Sequence, residues 1–160
     1  MNDFKQIAAG LEGYALLAAQ LESLLSGERD FIANAAQFSA FVFQELAELN
    51  WAGFYLQRGD ELVLGPFQGK VACVRIPFGR GVCGVAAATR RTQRVDDVHA
   101  FSGHIACDSA SNSELVIPLL KAGQLIGVLD LDSPRLARFT EVDQAGIECL
   151  VEVFLRLSDC

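Results

Sequence analysis

Apolar residues recur at helical spacing towards both ends of the chain and at strand spacing between them. Over residues 14–25, Leu16, Leu17, Ala18, Leu21, Leu24 and Leu25 follow a three- and four-residue period. Gly27 comes next, where a helix end favours left-handed backbone, so an amphipathic helix is expected there. Asp30 opens a second helix as N-cap, and Phe31, Ala35, Phe38, Val42 and Leu46 continue its apolar face until Asn50, broadened by Phe41 and Phe43. A last helix starts from Thr140 as cap with Asp143 at its third position, and buries Ile147, Leu150, Val151, Phe154 and Leu155.

At Trp51 the period changes to two. WAGFYLQ alternates, Arg58-Gly59-Asp60 turns, and ELVLGPF returns as a hairpin partner. Trp51 and Tyr55 then share a face, with Gly53 between them predicting an open space. ACVRIPF reads as a third strand with Cys73 at its start, running into Gly79–Gly84 and a small-residue helix, VAAATR. RTQRV is a short extended piece, and Asp96–Asn112 a long irregular loop of the kind that covers a site. SELVIPLL and QLIGVLDLDS are two further strands joined through Lys121-Ala122-Gly123. A three-residue connection pairs position 120 with 124 and sets Glu114 opposite Asp130, with Asp132 on the same face about 7 Å further along. A two-residue connection turns Glu114 to the other face. The fold class expected is α+β, a central antiparallel sheet of about six strands with the N- and C-terminal helices packed on one face.

Composition narrows the function classes. In 160 residues, 51% hydrophobic with mean hydropathy +0.28, a single domain spanning 1–160 with a sizeable core is expected. The 13 basic and 20 acidic residues leave a net charge of −7, and no window gathers Lys and Arg as a phosphate-tracking surface does, which argues against nucleic acid. The first residues carry no basic leader, and Glu12, Gln20 and Glu22 interrupt the apolar run, so no membrane association and a cytoplasmic location are expected. Five cysteines are an odd number for a disulfide-stapled domain and point to redox work, metal or packing. Cys83, His99, His104 and Cys107 lie within 25 residues but lack close-paired ligand spacing, so no metal is expected. Gly79, Gly81 and Gly84 satisfy G-x-G-x-x-G, yet position 104 is His where a dinucleotide fold wants an acid, and the neighbouring strands are hairpin-connected. These glycines are read instead as a tight turn bringing a helix close to the sheet.

Two features carry chemistry. Cys107 lies in GHIACDSASNSE, without large flanking hydrophobes and among Asp108, Ser109, Ser111, Asn112 and Ser113, which favour turns and local backbone bonding. A thiol on such a loop has the setting of a nucleophile or redox centre, although an incidental surface cysteine has the same look. Asp130 and Asp132, flanked by Leu129 and Leu131, suit a solvent-facing edge when taken alone. With Glu114 on their face, three carboxylates suit an ammonium group, and their repulsion holds a proton on one of them.

NWAGFYL, LGPFQGKVACVRIPFGRGVCG, DDVHAFSGHIACDSASNSELVIPL and GVLDLDSP resemble the free methionine-(R)-sulfoxide reductases, a family built on the GAF domain. The likeness runs from about Asn50 to Pro134, includes the cysteine steps from 73 to 83 and from 83 to 107, and extends more weakly into the terminal helices. It implies a GAF-like fold and reduction of free L-methionine (R)-S-oxide. Cys107 resembles the nucleophile that ends as a sulfenic acid, Cys73 the resolving thiol that forms a disulfide with it, and Cys83 an auxiliary resolver. Glu114, Asp130 and Asp132 match the acids that hold the substrate, and Trp51 with Tyr55 matches the aromatic wall beside the methylthio end; the chemistry of a departing oxide adds a neutral carboxylic acid, Asp130 or Glu114, as its proton donor. Thioredoxin as reductant, no bound cofactor and a homodimer complete what the resemblance and the two amphipathic terminal helices imply. Readings from other classes are a non-catalytic GAF sensor for a small molecule or redox state, and a dimerisation module with accidental thiols.

Overall fold

The computed structural model describes residues 10–104 and 109–160. Helices α1 (Leu11–Leu25) and α2 (Phe31–Glu45) lead into the hairpin of β1 (Trp51–Arg58) and β2 (Glu61–Gly69). Strand β3 (Arg75–Pro77), α3 (Gly81–Thr89) and β4 (Gln93–Val95) follow, then the hairpin of β5 (Ser113–Lys121) and β6 (Gln124–Ser133), and finally α4 (Glu141–Leu157). The strands form one antiparallel six-stranded sheet in the order β3-β2-β1-β6-β5-β4. This is the expected α+β architecture.

Alternation along the central strands builds two separate cores. Ala52, Phe54 and Leu56 of β1, Leu115, Ile117 and Leu119 of β5, and Leu129 and Leu131 of β6 face α1, α2 and α4. Phe38, Phe54 and Phe154 meet there with ring centroids 4.9–5.6 Å apart, in edge-on and tilted contacts worth about 0.5–1.5 kcal/mol each beyond their burial. On the opposite face Trp51, Tyr55, Val116 and Val128 pack towards α3 through Val82, Cys83, Ala86 and Ala87. That second face carries the polar chemistry.

The caps stand where the sequence places them: Asp30 accepts from the Ala33 amide, and Thr140 with Asp143 forms a reciprocal capping box. Helix α2 ends at Glu45, not near Asn50, because the backbone leaves helical geometry at Leu46 and reverses at Glu48, whose φ is +62°. Leu46 is still buried, so the apolar period outlasts the helix. The predicted third strand shrinks to three residues and leaves Cys73 in the segment before it. Gly84 lies against the strand end as expected, since a Cβ there would fall 2.5 Å from the Pro77 carbonyl oxygen.

Two bulges correct the register. Lys121 pairs with Gln124 across a two-residue turn, Ala122 and Gly123 both having positive φ. That turn alone sends Glu114 to the helical face, but Leu119 pairs with Gly127, leaving Ile126 as an extra residue on β6. The bulge reverses the flip, so Glu114 stands opposite Asp132, not Asp130, and still on the face of both acids. The second bulge, at Gly65-Pro66 on β2, lies between the Gly53–Phe67 and Tyr55–Leu64 pairs, with two residues against Phe54 alone. Phe67, which the bulge brings opposite Gly53, fills the space expected there: a Cβ on Gly53 would come 2.3 Å from the Phe67 Cβ.

Candidate active site

Sheet register brings the acids together. Glu114 of β5 is directly opposite Asp132 of β6, and Asp132 and Asp130 are in turn opposite Trp51 and Gly53 of β1. Glu114 and Asp130 are 7% and 5% exposed, which rules out a solvent-facing edge for these two. From α3, the Cys83 thiol donates to Glu114 Oε1 at 3.8 Å. Asp130 Oδ1 is buried without a hydrogen-bond partner among the described residues.

All of these side chains line one cavity of about 40 Å³, where a single water needs roughly 10–15 Å³. Trp51 and Tyr55 form one wall, their rings stacked at 5.7 Å, with Phe67 stacked on the far side of the indole at 5.2 Å. The same two aromatics hold the chain beside the cavity: Trp51 Nε1 donates to the Lys70 carbonyl at 3.1 Å, and the Tyr55 hydroxyl to the Cys73 carbonyl at 2.9 Å. The segment bearing Cys73 is thereby tied to the wall. Cys73 is disulfide-bonded, whereas Cys83, Cys149 and Cys160 are free thiols.

Burial dominates the titration of this cluster. It pushes Glu114 well above the usual carboxylate range, with the Asp130 and Asp132 charges adding to the shift. Burial also raises Asp130, to about 6, against the opposing effect of its hydrogen bonds with Glu114 and Cys83. The Cys83 thiol is raised by burial first and by the neighbouring acids second, so it stays protonated. Near neutral pH the two carboxyls therefore share a proton, with Glu114 as donor to Asp130.

Cys107, the expected nucleophile, lies outside the described residues. The chain on either side of it reaches the cavity, since His104 and Ser111 both line it. Arg80 lines it too, the one basic Lys or Arg residue among the described lining. Sequence reasoning missed these three; their proximity to the glycine turn and to the Cys107 loop was the available signal. The metal grouping of Cys83 with His99, His104 and Cys107 does not form among the described residues: His99 and His104 meet edge-on at 6.1 Å, and His99 Nε2 bonds Asn112. Cys83 instead groups with Glu114 and Asp130.

Residues 33–153 match the GAF domain family. The chain is 56% identical over 140 residues to the free methionine-R-sulfoxide reductase of Escherichia coli K12, which covers 88% of this chain and 85% of that one. Among solved structures, fRMsr of Staphylococcus aureus in its reduced form is 49% identical with a TM-score of 0.88, over 90% of this chain and 94% of that one. The free methionine-R-sulfoxide reductase from Neisseria meningitidis, in complex with its substrate, is 46% identical with a TM-score of 0.88, over 92% of this chain and 89% of that one. With identity this high along nearly the whole chain, on the same sheet and helices, the protein belongs to the GAF-domain family of free methionine-R-sulfoxide reductases.

Proposed function

We propose that this chain reduces free L-methionine (R)-S-oxide to L-methionine. The observation that carries the reading is the buried Glu114–Asp130 pair lining a small cavity walled by Trp51 and Tyr55, where burial raises both carboxyls. In the reaction the Cys107 thiolate attacks the sulfoxide sulfur, while Glu114, hydrogen-bonded to Asp130, protonates the oxygen and makes the sulfur electrophilic. Attack forms a bond between the Cys107 and substrate sulfurs, and with two protons the oxide leaves as water; water then attacks the Cys107 sulfur and breaks that bond, leaving Cys107 as a sulfenic acid, releasing one proton and returning two electrons to the sulfur of the departing methionine. Asp132 and Asp130 hold the ammonium, and the stacked aromatics receive the methylthio end. In a polypeptide that nitrogen is an uncharged amide, which forfeits a charge-assisted interaction of about 1.5–3 kcal/mol and favours the free amino acid.

The Cys73 thiol then attacks the sulfenic sulfur, water leaves and a disulfide forms; thioredoxin, a dithiol, reduces it by exchange. That Cys73 is disulfide-bonded and stapled to the cavity wall through Tyr55 supports this role. Cys83, buried beside Glu114, acts as an auxiliary resolver. Apolar side chains exposed on the helical layer, Leu11, Leu16, Leu24 and Ile32, support a homodimer through that layer.

The test is methionine formation from separated epimers of free methionine sulfoxide, with dithiothreitol or a thioredoxin system. The R epimer is turned over and Cys107→Ser is inactive. Cys73→Ser gives one turnover and recycles slowly with thioredoxin. Binding without turnover would return the chain to a non-catalytic GAF sensor.

A further inference from the structure

We propose that Cys83, Glu114 and Asp130 form a binding site for a divalent transition ion of the zinc class. One donor atom from each lies within 4.8 Å of the other two, and all three residues are buried while lining the cavity through which an ion would enter. A tetrahedral ion with bonds of about 2.3 Å to sulfur and 2.1 Å to oxygen sets these donors roughly 3.6 Å apart. Cys83 Sγ and Glu114 Oε1 already stand 3.8 Å apart. Asp130 closes the remaining distance by rotating about χ2, a broad and soft torsion.

A second, independent observation points to a ligand. Asp130 is 5% exposed, and its Oδ1 carries lone pairs with no hydrogen-bond partner among the described residues. A buried carboxylate oxygen left unsatisfied costs about 1–3 kcal/mol, a penalty that coordination removes. The donor set of one thiolate and two carboxylates suits Zn²⁺ or Co²⁺ and not Mg²⁺ or Ca²⁺, which prefer oxygen alone. The site differs from the His99-containing grouping and does not depend on the proposed reductase activity.

The experiment titrates Co²⁺ into metal-free protein reduced with a phosphine, and follows the near-ultraviolet thiolate-to-cobalt charge-transfer band. One equivalent binds, and Zn²⁺ displaces it. Cys83→Ser abolishes the band, and Glu114→Gln and Asp130→Asn, near-isosteric and neutral, each weaken binding by about 100-fold, the upper range for groups that merely support metal ligands. Cys73→Ser and Cys107→Ser keep the band. The proposal is overturned if no saturable band appears in the parent protein, if the band survives Cys83→Ser, or if it is lost in Cys73→Ser or Cys107→Ser. Should Cys83→Ser not fold, full affinity in both carboxamide variants overturns it on their evidence alone.

Discussion

Asp130 is the residue whose surroundings deviate most from what its type prefers. It stands on a central strand between Leu129 and Leu131, and burial lifts its carboxyl to about 6. The raised acid contributes stability that is complete below its unfolded value near 3.8 and is lost as pH rises through about 6. Asp130→Asn is therefore expected to stabilise the protein at pH 7 by on the order of 2–3 kcal/mol, an advantage that shrinks below about pH 4. Urea midpoints measured across that range check it. Glu114→Gln removes the proposed donor, and kcat/KM for the R sulfoxide is expected to fall by about 10²–10⁴ without loss of stability at pH 7. Activity of the parent falls as pH rises through the raised carboxyl range, because the protonated acid is the working form, and this alkaline limb disappears in Glu114→Gln.

At the scale of elements, the β5–β6 hairpin shows how much of the site was legible in the sequence. Both strands were found almost to the residue, and the three acids were placed on one face on condition of a three-residue connection. The pairing behind that placement was two residues short, because a two-residue turn and a bulge at Ile126 each shift it by one and cancel only in their effect on facing. The isolated Gly127 in the strand was the local signal for a bulge or a close approach, and its missing Cβ lets β6 lie against β1. A Cβ there would fall 2.2 Å from the Tyr55 carbonyl oxygen. Gly127→Ala is expected to cost about 2 kcal/mol, lowering Tm by roughly 5 °C in a thermal melt. The gap read over Gly53 failed for a similar reason, since the chain that fills it comes from a bulge around Pro66, whose missing amide makes it unsuited to regular pairing. Helix ends were read well where a capping side chain marks them, as at Asp30 and Thr140, and poorly at Leu46, where burial continues without helix.

Across the whole molecule, the helical layer is knitted to the C-terminus by a few buried and part-buried polar contacts. Asn34 Nδ2 bonds the Glu28 and Leu157 carbonyls and Ser158 Oγ at 3.0–3.3 Å, and Lys121 Nζ reaches the Leu155 and Ser158 carbonyls from β5. None of the described helices is long and apolar enough to cross a membrane. Ligand binding is expected to register on this global scale. In Cys107→Ser, which cannot consume its substrate, free methionine (R)-sulfoxide at about 100 times its Kd adds roughly 2.7 kcal/mol to unfolding, whereas its N-acetyl derivative at the same concentration adds nothing measurable. Differential scanning calorimetry distinguishes the two, and equal stabilisation would remove the ammonium from the recognition scheme.

The sheet divides its labour by parity. On β1 positions 51 and 55 face the cavity and 52, 54 and 56 face the helices; on β5 and β6 the even positions 114, 130 and 132 take the chemical side while 115, 117, 129 and 131 take the other. Two alphabets are thus interleaved on the same threads. Breeding for hardiness can rewrite the oily letters while leaving the reactive ones untouched, and a search for new substrates can do the reverse.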